Sequence, residues 1–214
     1  MLTEQQIESN KQLVISKLKS TNREGIDKLI SWLISSDFFI APSSRNYHCN
    51  YPGGLCEHSI NVYNVANVLN ENIIPMSEKF NKEVIDENSI IISALLHDLC
   101  KVNFYKETIK FFKDENNFWK KYRAYEIEDK FPLGHGEKSV IIANNFIKLT
   151  GSEMLAIRWH MGMSDKGTTL SDYNNPAILK ALEIDPLVIL ICMADYYSSF
   201  GIEIKEDLKK QIVE

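Results

Sequence analysis

The stretch LLHDLCK, Leu95–Lys101, sets an imidazole and a carboxylate side by side at His97 and Asp98, directly after the apolar run IIISALL. Both groups are costly to bury without partners. The whole segment from Asp86 to Lys101 reads as the most apolar helix of the first half of the chain, central and buried. Consecutive residues lie about 100° apart on a helix, so His97 and Asp98 can both reach one ion held over the seam between them. A metal is the strongest partner available to such a pair, and the rest of the chain must then supply further ligands.

The surrounding pattern is mostly helical. TEQQ at Thr3–Gln6 reads as a capping box, with Ile7, Val14 and Leu18 following on one face. Ile26, Leu29, Ile30, Leu33 and Ile34 recur at helical spacing, and that helix should stop before Pro42. The loop APSSRNYHCNYPGG follows, rich in turn residues, and Gly53 and Gly54 let the backbone turn tightly into a helix from Leu55 onward. Between Phe104 and Phe131 the pattern becomes aromatic, charged and partly alternating, which predicts a short β-hairpin or flap. Further helices are predicted in GHGEKSVIIANNFIKL, SEMLAIRWHM and DPLVILICMADYYSSF, with a polar loop in MGMSDKGTTLSDYNNP. The expected fold is all-α, a helical bundle with a short inserted β-hairpin. Residues 1–40 form N-terminal helices packed on the same domain, 41–205 the main body and 206–214 a C-terminal tail.

Bulk properties narrow the function classes. The chain has 214 residues, 44% hydrophobic and 25% charged, with a formal net charge of -5. That suits one globular domain and argues against broad binding to long nucleic acid, which leans on a basic surface. No stretch approaches the roughly 18 apolar residues of a membrane span, and the N-terminus lacks a signal pattern, so a cytoplasmic protein is expected. Cys49, Cys56, Cys100 and Cys192 form no CxxC pair, which argues against a zinc ribbon and fits a reducing compartment.

The histidines carry the functional signal. There are five: His48, His58, His97, His135 and His160. A lone histidine on an apolar helix is usually a satisfied core residue, and Asp195 alone would read as a helix-terminal carboxylate. Taken together, His58, His97, Asp98 and Asp195 make a mixed nitrogen and oxygen set that suits Mn, Fe, Co or Mg better than a closed zinc site. His135 and His160 are further imidazoles that could hold a second ion, with Asp98 bridging.

GGLCEHSINVYNVA, LLHDLCK, GHGEKS, RWHMG and ADYYSS give the order H…HD…H…H…D. This ordered set resembles the HD-domain metal-dependent phosphohydrolase superfamily over residues 45–200. The stretch from His48 to His58 is most similar to the HD domain of bacterial 3′→5′ exoribonucleases. Those carry an OB domain, for which the first 40 residues here are too few, helical and not basic, so stand-alone nucleotide phosphohydrolases are the nearer comparison. The resemblance implies that His58, His97, Asp98 and Asp195 hold one divalent ion. It further implies that His135 and His160 either hold a second or contact the substrate phosphate, with His135 or His160 then available as general acid. It implies catalytic roles for Asp98, which bridges and orients water, and for Lys101, which meets phosphate or stabilises the site. His48 and Arg45 are candidate phosphate contacts, and Arg158 is read as structural. Tyr122, beside Phe118, Trp119, Tyr125 and intervening Lys and Arg, could stack on a base or pack on the core; Tyr196 presents the same choice. The implied reaction is hydrolysis of a phosphate ester or anhydride in a small phosphorylated substrate, a nucleotide above all. An exonuclease on short single strands and a non-catalytic metal-binding module are the competing readings. Homodimerisation is compatible with the sequence and not demanded by it.

Overall fold

The computed structural model describes residues 1–162, 176–208 and 212–213. Among these residues, eight α-helices form the body of the fold: α1 (Glu4–Ser20), α2 (Ile26–Ser35), α3 (Gly54–Asn72), α4 (Glu87–Leu96), α5 (His135–Asn144), α6 (Gly151–Trp159), α7 (Pro176–Ile184) and α8 (Pro186–Tyr197). The predicted capping box at Thr3 is present and starts α1, whose Val14 and Leu18 enter the core. A second capping box joins Thr150 and Glu153 at the start of α6. In α2 the residues Ile26, Leu29, Ile30 and Leu33 are buried, whereas Ile34 faces solvent. The predicted polar loop at 161–176 lies mostly outside the described residues.

Helix α4 is the axis of the fold. Every residue from Ile90 to Leu96 is buried, and the helix touches α1, α3, α6 and α8. A helix apolar on all sides can only sit inside a bundle. Its C-terminal end therefore delivers His97 and Asp98 to the centre of the molecule.

Two glycines set the approach of neighbouring helices. A Cβ on Gly54 would stand 2.0 Å from the carbonyl oxygen of Cys49, so the start of α3 can press against the preceding loop only without a side chain. A Cβ on Gly136 would stand 2.1 Å from the carbonyl oxygen of Arg158, which lets α5 cross directly over the end of α6. That crossing brings His135 and His160 together, with ring centroids 5.1 Å apart.

The hairpin predicted between Phe104 and Phe131 is present as strands β1 (Tyr105–Lys113) and β2 (Trp119–Ile127), antiparallel, with Tyr105 opposite Ile127. A short third strand, β3 (Ile212–Val213), adds to β2. Residues 203–208 do not hang free either. The Cys49 amide donates to the Ile204 carbonyl, Asn50 bonds the Glu206 backbone on both sides, and the N-terminal amine pairs with the Glu206 carboxylate. The last segment is thus strapped across the loop that precedes α3.

Candidate metal centre

Six side chains from five segments converge at the end of α4. His58, His97 and His160 are fully buried, Asp98 is 1% exposed and Asp195 7% exposed. His135, the first residue of α5, is partly exposed and closes the group on the solvent side.

The histidine tautomers follow from their hydrogen bonds. His97 Nδ1 donates to the Ala94 carbonyl at 2.8 Å, His160 Nδ1 to the Ile157 carbonyl at 2.7 Å, and His58 Nδ1 to the Glu203 carboxylate at 2.9 Å. Each Nδ1 is occupied, so each Nε2 is turned inward. The inward nitrogens have poor protein partners. His58 Nε2 and His97 Nε2 face each other at 3.0 Å. His160 Nε2 is buried with no hydrogen-bond partner among the described residues. Buried unsatisfied nitrogen is costly, and three imidazoles held by their Nδ1 atoms with Nε2 converging are what a metal ion requires.

Asp98 divides the cluster between its two oxygens. Oδ2 lies 3.4 Å from His58 Nε2, 3.4 Å from His97 Nε2 and 2.6 Å from Lys101 Nζ. Oδ1 lies 2.8 Å from His135 Nε2 and 3.6 Å from His160 Nε2. Asp195 Oδ1 is 3.3 Å from His58 Nε2 and accepts from Ser199. Groups able to hold an ion are His48, His58 and Glu203; His58, His97 and Asp195; His97, Asp98 and His160; and Asp98, Cys100 and His135. The donor set fits a divalent ion on either side of Asp98.

The ionisation states tell the same story in the metal-free protein. Burial alone would raise the Asp98 carboxyl, but Lys101, His97, the hydrogen bond from His135 and the nearby His160 imidazole hold it well below the usual carboxylate range. Burial likewise works against Asp195, and His58 overcomes it, so that carboxyl is also strongly depressed. His58 is pushed down by burial and up, by a larger total, through Asp195, Asp98 and Glu203, so it stays protonated well above an ordinary imidazole. His135 is held up at about 9 against burial, mainly by Cys100 and Asp98.

A family model for the HD domain matches residues 55–199. The chain belongs to the HD-domain family. Metal-dependent phosphohydrolase chemistry is what an HD domain implies, and the buried histidine and aspartate groups are able to bind the divalent metal that chemistry uses. No curated protein and no solved structure matches the chain.

The remaining candidates fall in several places in this HD domain. Lys101, in the one-turn 3₁₀ segment Leu99–Lys101, is engaged with Asp98, which raises its own pKa, so its ammonium clamps the carboxylate. His48 sits beside His58, ring centroids 4.8 Å apart, and its Nδ1 bonds Glu203. Arg45 is exposed, and its charge reaches the Tyr105 hydroxyl, which also feels Lys101 and Asp98. Tyr196 donates to the Met161 carbonyl and stacks on Phe200. Tyr122 packs edge-on against Phe112 and lines a separate cleft with Tyr125 and Lys205, away from the His–Asp group. On the hairpin, Tyr125 is buried while Phe118 and Trp119 are exposed, so the aromatics divide between packing and solvent. Arg158 pairs with Glu137 at 2.6 Å and lies over Trp159.

Glu203 was not foreseen. It follows a π-helical turn, Ser198–Ile202, that extends α8 and returns the chain toward the cluster. Its carboxylate, 1% exposed, takes hydrogen bonds from His48, His58 and Asn61 and is held strongly acidic by the two imidazoles against the cost of burial. Among twenty-nine acidic residues, no local pattern marks it; only its place shortly after an Asp195 helix could have raised the question.

Proposed function

We propose that this HD domain hydrolyses a phosphate ester or anhydride in a nucleotide or similar small phosphorylated compound, using one or two divalent ions. The convergence of three Nδ1-anchored histidines on two buried carboxylates carries the reading. His58, His97, Asp98 and Asp195 would hold one ion, and Asp98, His135 and His160 a second. Bound there, Mn, Fe, Co or Mg supplies positive charge to the phosphate and lowers the pKa of water toward neutrality.

The chain's own groups do the rest. Asp98, with one oxygen toward each side of the cluster, is suited to bridge, and Lys101 fixes its rotamer through the 2.6 Å contact. That contact favours a positioning role for Lys101 over direct phosphate binding. Glu203 holds the His58 tautomer that keeps Nε2 inward. His135 lies on the exposed rim. With Arg45 and Tyr105 it forms the side from which an anionic substrate can approach, and Arg45 is an exposed cation suited to meet phosphate. The exposed Tyr196 is a candidate for the non-phosphate part of the substrate.

The test is elemental analysis of protein purified without chelator, wild type beside Asp98→Ala, followed by a nucleotide panel with the bound ion restored. About two equivalents in wild type, lost in the variant together with phosphate release, is the expected result. A folded wild type that takes up no divalent ion after anaerobic reconstitution refutes the reading.

A further inference from the structure

Cys100 lies inside the HD motif and has no role in the reaction described above. Its Sγ is 3.3 Å from His135 Nδ1 and 3.9 Å from Asp98 Oδ1, and the residue is 4% exposed. Its backbone amide donates to Ser139 Oγ at 3.0 Å, which ties the 3₁₀ turn to α5. A buried cysteine is most often an inert small side chain. Here its surroundings are polar. Asp98, Cys100 and His135 each present a donor atom within 4.8 Å of the others.

An independent observation points to a ligand on this side. His160 Nε2, fully buried and unpartnered among the described residues, is aimed at the same oxygen, Asp98 Oδ1, at 3.6 Å. Around Oδ1 stand the Cys100 thiol and the His135 imidazole, within 4.8 Å of it and of each other, and His160 Nε2 approaches the same oxygen from the side it shares with His97. The Oδ2 side offers imidazoles and carboxylates without sulfur. Sulfur donors select borderline and soft ions, and a set of one sulfur, two nitrogens and one oxygen suits zinc or cobalt; magnesium avoids it.

We infer that Cys100 is a thiolate ligand of the ion held on the Oδ1 side of Asp98, so that the two positions differ in chemistry and this one takes a thiophilic divalent ion. The inference rests on the metal reading of the site. Binding forms a sulfur–metal bond in place of the S–H bond, and the thiol proton passes to solvent. Zinc, disfavoured by the nitrogen and oxygen ligands alone, becomes a suitable ion for this position while the other keeps its preference for harder ions.

The experiment is cobalt substitution of the full chain after removal of bound metal, read by absorbance and by elemental analysis. Wild type is expected to show visible d–d bands and, in addition, a near-ultraviolet sulfur-to-cobalt charge-transfer band. Cys100→Ala and Cys100→Ser should keep d–d bands from the remaining position and lose the charge-transfer band. They should also hold the second cobalt equivalent more weakly, by more than the roughly 10–100-fold that loss of a supporting hydrogen bond costs. Cobalt bound by wild type with no charge-transfer band overturns the thiolate assignment and leaves the nitrogen and oxygen site standing, whether or not the variants fold. A band that persists in a folded Cys100→Ala protein assigns the sulfur elsewhere and overturns it too. No cobalt uptake at all overturns the metal reading itself, and this inference with it.

Discussion

Replacing Glu203 with alanine tests the site where its design is least visible. Its carboxylate takes His58 Nδ1 at 2.9 Å, Asn61 Nδ2 at 3.1 Å and His48 Nδ1 at 2.5 Å. Two effects of its loss oppose each other. Without Glu203 the His58 ring loses the acceptor that fixes Nδ1–H, so Nε2 is no longer committed to the ion; losing such a partner costs about 10–100-fold in metal affinity, or roughly 1.4–2.7 kcal/mol. In the other direction, Glu203 helps keep His58 protonated, and its removal eases the competition between proton and metal. That relief is partial, because Asp195 and Asp98, which also raise His58, both remain. The tautomer effect therefore wins. Titration calorimetry of Mn²⁺ into chelator-stripped protein should show affinity weakened toward the upper end of that range in Glu203→Ala. Glu203→Gln, which keeps an acceptor for His58 but no charge, should fall near the lower end. An unchanged dissociation constant in a Glu203→Ala protein whose circular dichroism matches wild type would refute the reasoning.

Loading the site should also release protons. His58 is raised well above 6.5 and His135 to about 9, so at pH 7 both enter the metal-free protein charged. Groups with raised pKa contribute stability that is complete below their unfolded values and lost as pH rises through the folded ones, so the metal-free protein should weaken from about pH 6.5 toward 9. Metal affinity should rise over the same window, and calorimetry in buffers of different ionisation enthalpy should count about two protons lost at pH 7 from these two rings, in addition to the one from the Cys100 thiol, which Cys100→Ala removes from the count; no release from that variant would show that the rings are neutral beforehand. Away from the site, Arg23 forms a bidentate pair with the fully buried Glu153, at 2.6 and 3.0 Å. Arg23→Met leaves that carboxylate uncompensated and should cost ~3 kcal/mol, the low end for a partly exposed partner, lowering Tm by roughly 6–12 °C. Adding Glu153→Gln should restore part of the loss, and thermal melts of the two variants decide it.

The helices and the hairpin were legible because their signals are local. A capping box, a 3.6-residue apolar period and an aromatic alternating run each declare themselves within a few residues. Which histidines meet is not local, yet the order of motifs on apolar helices pointed to the same group of side chains that the fold brings together. Three features escaped. Glu203 acts on His58 from 145 positions away, across an irregular π turn that periodicity cannot foresee. Lys101 was expected to meet phosphate or stabilise the site, and what spacing left open is its partner: the turn that follows Asp98 folds its ammonium back onto the carboxylate. Cys100 stood inside LLHDLCK as a small core or near-site thiol, because the imidazole beside it, His135, comes from α5, far away in sequence.

The backbone between His97 and Asp98 explains why the pair is adjacent. His97 keeps helical dihedrals at the end of α4, φ -57° and ψ -34°, and its Nδ1 still bonds the Ala94 carbonyl one turn back. Asp98 leaves the helix at φ -105° and ψ 22°, in the sparsely allowed bridge region where many active-site residues sit. Around the helix axis the two side chains stand about 100° apart, and the space over the seam between them is within reach of both. There Oδ2 stands 3.4 Å from His97 Nε2 while Oδ1 reaches His135 on another helix. The next turn is too tight for an α-helix, and it is this tightening that returns Lys101 to Asp98 and Cys100 to His135. The helix thus ends where its two polar residues begin, and the termination itself aims a ligand pair from one short segment at two sides of one centre.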